Sequence, residues 1–185
     1  VTPSHVIAPI LEALPLAIER GLTVPLVYNT GGYDRTSALK LLDGIVDIYM
    51  PDFKFWDSGV SKRLSDAPDY PERARKAVKE MHRQVGDLVT DPGGVAQRGL
   101  LVRHLVMPEG LAGTSSVMHF LATEISRNTY VNVMSQYHPC GGAVGLPGLG
   151  RRITSAEMEE ALEMARREGL HRLDERHRHW ITLDL

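Results

Sequence analysis

Two residues of opposite charge, Asp52 and Lys54, follow directly on the apolar run 45–50. Because alternate residues of an extended backbone point the same way, both side chains are expected on one side of the strand end. A strand that ends in paired charges usually faces a ligand, although such a pair can also be two solvated loop charges. The aromatic residues around the pair favour a packed loop, namely Phe53, Phe55 and Trp56.

The elements that must position this pair alternate between strand-like and helix-like stretches. The sequence predicts strands over 22–28, 45–50, 100–107 and 130–134, and helices over 4–20, 34–42, 71–85, 115–125 and 154–169. Ser4 is expected to cap the first helix and Gly21 to end it, and Thr154-Ser-Ala-Glu157 has the capping-box pattern. Short apolar strands that alternate with helices predict an α/β fold with a parallel sheet.

In such folds the ligand lies beyond the carboxyl ends of the strands. Polar residues gather at each of those ends, which predicts one shared site: Asn29 and Thr30, Asp52 and Lys54, Arg103 and His104, Asn132, and Gln136 to His138. Arg103 and His104 are neighbours in a strand and so point to opposite faces. One of them is therefore expected to face the site, and the other to be a structural group beneath a helix.

Composition excludes several other classes of protein. The chain has 185 residues, of which 43% are hydrophobic and 24% charged, with a net charge of -2. One globular domain is expected, without nucleic acid or membrane as a partner, and the cytoplasm is the expected location. Cys140 is the single cysteine, which excludes an internal disulfide and a metal site of several thiolates; we interpret it as incidental.

Four segments carry a family resemblance. They are Val-Tyr-Asn-Thr-Gly-Gly-Tyr33, Leu41-Leu-Asp-Gly-Ile-Val-Asp-Ile-Tyr-Met-Pro-Asp-Phe-Lys54, Leu101-Val-Arg-His-Leu-Val-Met-Pro108 and Tyr130-Val-Asn-Val-Met-Ser-Gln-Tyr-His-Pro139. In this order, from near Val1 to about Gly169, the chain resembles the radical S-adenosylmethionine proteins related to pyruvate formate-lyase-activating enzyme.

The resemblance implies a partial (β/α)6 TIM-like barrel over residues 1–170, roughly strands three to six, followed by a charged tail over 171–185. Its family binds a four-iron four-sulfur cluster through a Cys-x3-Cys-x2-Cys loop, and this chain contains no such loop. The chain begins with Val1 instead of Met, so we expect the first strand and the cluster loop to precede it. The fragment alone is expected to be inactive.

The implied chemistry is reductive cleavage of S-adenosylmethionine to a 5'-deoxyadenosyl radical, with an electron donor and a glycyl radical enzyme as protein partners. The resemblance places Lys54, beside Asp52, at the S-adenosylmethionine carboxylate, which an ammonium would bind. It assigns Asn29 and Thr30 to the tip of the third strand. It further assigns cofactor contacts to Arg103, His104, Gln136 and His138. Residues 2–4 occupy the position of the family's Gly-Gly-Glu-Pro segment but lack its glycines and its acid.

Two other functions remain open from the residues. Lys54 could form a Schiff base in an ordinary barrel lyase or aldolase. The chain could instead be a half-barrel without enzymatic activity that binds a partner, or a second copy of itself, through an open sheet edge. The three histidines of the tail 171–185 are interpreted as part of a solvated terminus, not as a metal site.

Overall fold

A computed structural model describes residues 2–174 of the protein. The helices are α1 (Ile7–Glu19), α2 (Thr36–Lys40), α3 (Ser58–Ser65), α4 (Tyr70–Val85), α5 (Thr114–Phe120) and α6 (Ser155–Arg167). The strands are β1 (Val27–Thr30), β2 (Ile48–Pro51), β3 (Val89–Thr90), β4 (Ala96–Leu105) and β5 (Tyr130–Met134). Short 3-10 turns lie at Pro108–Gly110 and Gly141–Gly145, and a π turn over Leu121–Ile125 continues α5.

The sheet is parallel through β1, β2, β4 and β5, in that spatial order. The predicted α/β fold with a parallel sheet is therefore confirmed. The short strand β3 pairs antiparallel with the beginning of β4, across a turn in which the N–H of Gly94 donates to the carbonyl oxygen of Asp91. Beyond β5, Leu173 forms a parallel bridge with Val131. The first residues of the predicted tail thus lie beside the sheet, and residues 175–185 lie outside the described part.

The two faces of the sheet differ in burial. One face carries side chains that are at most 5% exposed: Tyr28, Thr30, Tyr49, Phe53, Leu100, Val102, His104, Val131 and Val133. Helices α4 and α5 contact this face, since Tyr49 is hydrogen-bonded to Gln84 and His104 to Thr114. On the opposite face most side chains are only partly buried, among them Asn29, Met50, Leu101, Arg103 and Asn132. The accessible polar groups therefore belong to this second face.

Two helices begin and end where the sequence predicts. Helix α4 has Pro71 in its first turn, where the missing N–H costs no hydrogen bond, and it ends at Gly86 with a φ of 71°. Helix α6 has the complete capping box: the Thr154 hydroxyl accepts from the N–H of Glu157, and the Glu157 carboxylate accepts from the N–H of Thr154. Both predictions are confirmed.

Several details differ from the predictions; β2 begins at Ile48 instead of residue 45, and β4 begins at Ala96 instead of residue 100. Strand β1 begins at Val27 instead of residue 22, and Pro25 gives the reason, because a proline has no N–H to donate to a sheet. The stretch after Lys54, predicted as a loop, contains helix α3, whose N-cap Asp57 accepts from the N–H of Val60. Ser4 does not cap α1; Val6 occupies the N-cap, and the Ser4 hydroxyl donates to Asp34 instead.

Within residues 2–174, no helix combines the length and the apolar character that crossing a bilayer requires.

Candidate functional site

The carboxylate of Asp52 holds two cations at the end of β2. The Arg103 guanidinium donates from Nε to Oδ1 at 2.7 Å, and its Nη2 lies 2.6 Å from the same oxygen as an ion pair. The ammonium of Lys54 lies 3.4 Å from Oδ2. The Asp52 side chain is 12% exposed and that of Lys54 is 43% exposed. The predicted pairing of Asp52 with Lys54 is thus present, and the three charges together carry one net positive charge.

The sheet register places further polar groups beside this cluster. Asp52, Arg103 and Asn132 form one row across β2, β4 and β5. Asn29 pairs with Met50, two residues before Asp52, so its side chain is on the same face. The side-chain oxygens Oδ1 of Asn29 and of Asn132 are buried and have no hydrogen-bond partner among the described residues. Buried polar atoms are normally paired, so these two oxygens lack the donors that such atoms usually have.

Tyr70, the first residue of α4, also contacts the loop that carries Lys54, and the sequence did not predict it. Its hydroxyl accepts from the backbone N–H of Lys54 at 2.9 Å and lies 3.0 Å from the carbonyl oxygens of both Gly31 and Asp52. No pattern in the sequence links Tyr70 to Lys54, which is 16 residues earlier. The one signal in the sequence that could have led to Tyr70 was the group of aromatic residues near Asp52. They predicted a packed loop, and a packed loop needs contacts from another element.

Thr30 lies on the other face of the sheet and belongs to a buried polar network. Its hydroxyl donates to Oδ2 of Asp34 at 2.6 Å, while Oδ1 of Asp34 accepts from Ser4 at 2.5 Å and from Tyr28 at 3.0 Å. Burial raises the pKa of the Tyr28 hydroxyl, so it stays protonated and able to donate. The segment before α1 is thereby joined to the loop after β1. Asp34 was not among the predicted site residues.

One of Arg103 and His104 was expected to face the site and the other to be a structural group. His104 is the structural one. It is completely buried, with Nδ1 2.8 Å from the carbonyl oxygen of Phe53 and Nε2 2.9 Å from the Thr114 hydroxyl. Burial lowers the pKa of its imidazole to about 4. The carbonyl can only accept, so Nδ1 carries the proton and Nε2 accepts from Thr114. Both ring nitrogens therefore have partners within the protein. Neither is left to make the cofactor contact that was expected of His104.

The loop after β5 contains two further predicted site residues, Gln136 and His138. Gln136 and His138 are exposed, and within the described part no hydrogen bond or ion pair connects either of them to Asp52, Lys54 or Arg103. The loop is fixed through the residue between them, because the buried hydroxyl of Tyr137 donates to the carbonyl oxygen of Leu149 at 3.0 Å. Cys140 is exposed. The structure thus brings together Asn29, Asp52, Lys54, Arg103 and Asn132 and leaves Thr30, His104, Gln136 and His138 outside.

This arrangement suits recognition of an anion that also carries hydrogen-bond donors. A half-exposed ammonium can bind a carboxylate or phosphate oxygen, and two amide oxygens can accept from amino or hydroxyl groups. Between residues 2 and 174 no group of three or more His, Cys, Asp and Glu side chains is placed to hold a metal ion. Lys54 is ion-paired with a carboxylate and is 43% exposed, whereas a Schiff-base lysine can be activated by desolvation in an apolar pocket, which Lys54 does not have.

Comparison with known proteins gives one relative and no family. No family model matches the chain. An uncharacterized protein of Methanocaldococcus jannaschii is 34% identical to it over 148 residues, which are 80% of this chain and 39% of that protein. The chain thus spans about two fifths of the length of the relative that it matches.

Proposed function

We propose that this chain is the S-adenosylmethionine-binding later part of a radical S-adenosylmethionine enzyme related to pyruvate formate-lyase-activating enzyme. The observation that carries the proposal is the cluster of Asp52, Lys54 and Arg103 on the partly exposed sheet face. Arg103 balances the charge of Asp52, so that Lys54 contributes one uncompensated positive charge. An ammonium in that position suits the carboxylate of S-adenosylmethionine.

The two acceptors without partners support the same ligand. S-adenosylmethionine carries an amino group and ribose hydroxyls, which are hydrogen-bond donors, in addition to its carboxylate. Oδ1 of Asn29 and Oδ1 of Asn132 lie on the face that carries Lys54's partner Asp52, and each is short of a donor. A ligand that supplies donors there would remove the cost of leaving two buried oxygens unpaired.

The fold that goes with this function is a partial (β/α)6 barrel. Four parallel strands with helices on one face, and Leu173 beside β5, are what roughly strands three to six of such a barrel would supply. β1 is an edge strand of the described sheet, and in this proposal a further strand of the barrel pairs with it. The length of the relative, more than twice the part that this chain matches, is consistent with a longer protein.

The iron–sulfur cluster does not fit this chain by itself. A cluster of this kind is held by several thiolates, and Cys140 is the only cysteine in the 185 residues. We therefore propose that the cluster ligands belong to another part of a longer protein. The cluster would supply the electron that cleaves S-adenosylmethionine, whereas the residues of this chain bind and orient it. An electron donor is the partner that this function requires, and a glycyl radical enzyme is the protein substrate that the resemblance suggests.

The test is the production of 5'-deoxyadenosine by a longer protein of the proposed kind, which contains this chain together with a Cys-x3-Cys-x2-Cys loop. After anaerobic reconstitution with iron and sulfide, the protein should form 5'-deoxyadenosine from S-adenosylmethionine when dithionite is added, as measured by liquid chromatography and mass spectrometry. Samples without reductant are the control. A reconstituted protein that neither binds S-adenosylmethionine nor releases 5'-deoxyadenosine contradicts the proposal.

A further inference from the structure

The hydroxyl of Tyr70 lies where the loop after β1 meets the end of β2. It is within 3.0 Å of the carbonyl oxygens of Gly31 and Asp52, and it accepts from the backbone N–H of Lys54 at 2.9 Å. A phenolic hydroxyl has one proton to donate and can accept at the same time. One side chain from α4 therefore connects the backbones of both loops that approach the charged cluster.

Burial and ring contacts hold the side chain of Tyr70, and with it the hydroxyl, in place. Tyr70 is 6% exposed, and its ring contacts Phe55 edge to face at 5.8 Å and Tyr33 in a stack at 5.9 Å between centroids. Tyr33 is in turn tied down, since its hydroxyl donates to Asp69 and the Arg73 guanidinium lies over its ring. Burial raises the pKa of the Tyr70 hydroxyl, which keeps its proton available for the carbonyls.

The hydrogen bond from the backbone N–H of Lys54 to the Tyr70 hydroxyl holds the backbone from which the Lys54 side chain extends. A Cβ added to Gly31 would lie 3.8 Å from Nζ of Lys54, so the lysine side chain extends across the turn after β1. At the neighbouring Gly32 an added Cβ would lie 2.2 Å from the carbonyl oxygen of Asp52, so the two loops are in close contact. Nζ is placed relative to Asp52 by this packing as well as by charge.

We infer that Tyr70 is a positioning residue: its hydroxyl holds the backbone of Lys54 so that the ammonium is directed to the ligand carboxylate. This role rests on the proposed function, because it assigns Lys54 the same ligand. Removal of the hydroxyl leaves the N–H of Lys54 without its acceptor and frees the loop to move. Binding should weaken even though Tyr70 itself does not contact the ligand.

A double-mutant cycle in the longer natural protein tests the inference with S-adenosylmethionine as the probe. Tyr70→Phe should weaken binding by about tenfold, since one buried hydrogen bond is lost. In a Lys54→Ala background the same substitution should have almost no further effect, because Tyr70 acts through Lys54. Tyr49→Phe, which removes another buried hydroxyl, bonded to Gln84, is the matched control and should leave affinity unchanged. Unchanged affinity in Tyr70→Phe, or an equal loss in both backgrounds, overturns the inference.

A ligand-free measurement separates this inference from the function on which it rests. In the 185-residue chain the amide of Lys54 should be protected from hydrogen exchange, and Tyr70→Phe should speed its exchange by about tenfold. If the wild type does not bind S-adenosylmethionine but shows this protection, the proposed function fails and the holding contact stands. If Tyr70→Phe does not fold, the wild-type amide alone decides: exchange as fast as that of an exposed loop amide overturns the inference.

Discussion

At the scale of single residues, the charge of Asp52 is shared unequally between two cations. Arg103 donates from Nε to Oδ1 and has Nη2 2.6 Å from the same oxygen, whereas Lys54 is 3.4 Å from Oδ2 and closer to solvent. Arg103 and Asp52 therefore form the structural pair, and Lys54 is the cation that a ligand can recruit without breaking that pair. Exposed ion pairs contribute little to stability, so the main effect of Lys54 should be on binding.

Lys54→Ala should weaken binding of S-adenosylmethionine to the longer natural protein with its cluster reconstituted. Loss of a hydrogen bond to a charged group costs about 1.5–3 kcal/mol, or roughly tenfold to hundredfold in affinity. Isothermal titration calorimetry under anaerobic conditions measures the change. Lys62→Ala on α3 removes an exposed lysine away from the cluster and should leave the affinity as it is. Equal affinities for wild type and Lys54→Ala would mean that Lys54 is a solvated loop charge.

His104 should make the folded state less stable in acid. Its pKa is about 4 in the folded protein, because burial disfavours the imidazolium, against roughly 6.5 in the unfolded chain. Between these values the unfolded chain binds a proton that the folded state does not, so stability falls as pH falls from 6.5 to 4. The full loss from this group is about 3 kcal/mol.

Urea unfolding at a series of pH values between about 4.5 and 7 measures this dependence. His104→Asn should be less stable than wild type near pH 7 but should show a flatter dependence on pH, because the depressed group is gone. His119→Asn removes an exposed histidine bonded to Glu168 and should keep the wild-type slope. Parallel curves for wild type and His104→Asn would contradict the assignment.

The sequence predicted the charged pair and the alternation of Arg103 and His104, since both depend only on period two along a strand. It could not choose which of those two faces the site, because that depends on whether α5 supplies Thr114 as a partner. Thr30 was assigned to the site by its place at a strand end, but its side chain points to Asp34 on the other face. Contacts between elements distant in sequence, such as that of Tyr70, leave no periodic signal.

At the scale of elements, the turn after β1 is shaped by the end of β2. Gly32 has a φ of 78°, and a Cβ there would lie 2.2 Å from the carbonyl oxygen of Asp52. Gly44 has nearly the same φ, 76°, but nothing within 4 Å of an added Cβ. An alanine at Gly44 would therefore meet only backbone strain, whereas an alanine at Gly32 would meet the same strain and a steric clash.

Gly44→Ala should lower the free energy of unfolding by roughly 1 kcal/mol, the cost of a left-handed backbone for a residue with a Cβ. Gly32→Ala should cost about 1–3 kcal/mol more, because the loops must also move apart. Urea unfolding compares the two variants, and hydrogen exchange at Lys54 should rise only in Gly32→Ala. Equal costs would show that the loop after β1 is free of β2.

Elements with strong end signals were predicted well, and those without were not. The capping box of α6 and the pair Pro71 and Gly86 around α4 are local, so their positions follow from a few adjacent residues. Helix α3 has three serines and Gly59 among its eight residues, and its apolar pattern is weak. The sequence therefore predicted a charged loop there instead of a helix. It forms because Asp57 caps it and its buried Ser61 donates to the carbonyl oxygen of Ala67.

At the scale of the whole molecule, the asymmetry of the sheet is the feature that links fold and proposed function. One face is buried beneath helices, and the other carries the buried Asp52 together with Asn29, Arg103 and Asn132, which are partly exposed. A parallel sheet normally has both faces covered, and in a closed barrel the inner face would be enclosed by further strands. Such enclosure would desolvate the cluster of Asp52, Lys54 and Arg103 and strengthen its hold on a charged ligand.

In the proposed function the iron–sulfur cluster is not held by this chain alone. The 185-residue chain has one thiol, at Cys140 in an exposed loop, so it can supply one of the several thiolates that a cluster needs. Reconstituted anaerobically with iron and sulfide and then desalted, the chain should show no visible charge-transfer absorbance of a bound cluster. The longer natural protein, treated in parallel, should show it.

Cys140→Ser in the short chain controls for iron that binds adventitiously to the single thiol, and its spectrum should match that of the unmodified chain. A stable four-iron four-sulfur spectrum from the 185 residues would contradict the proposed division, because the cluster ligands would then lie within this chain or be shared between copies of it. Size-exclusion chromatography of the same samples would detect the second case as a cluster-dependent dimer. Absence of a cluster from both forms would instead remove the iron–sulfur chemistry from the proposal and leave the anion-binding face around Lys54 to be explained by another ligand.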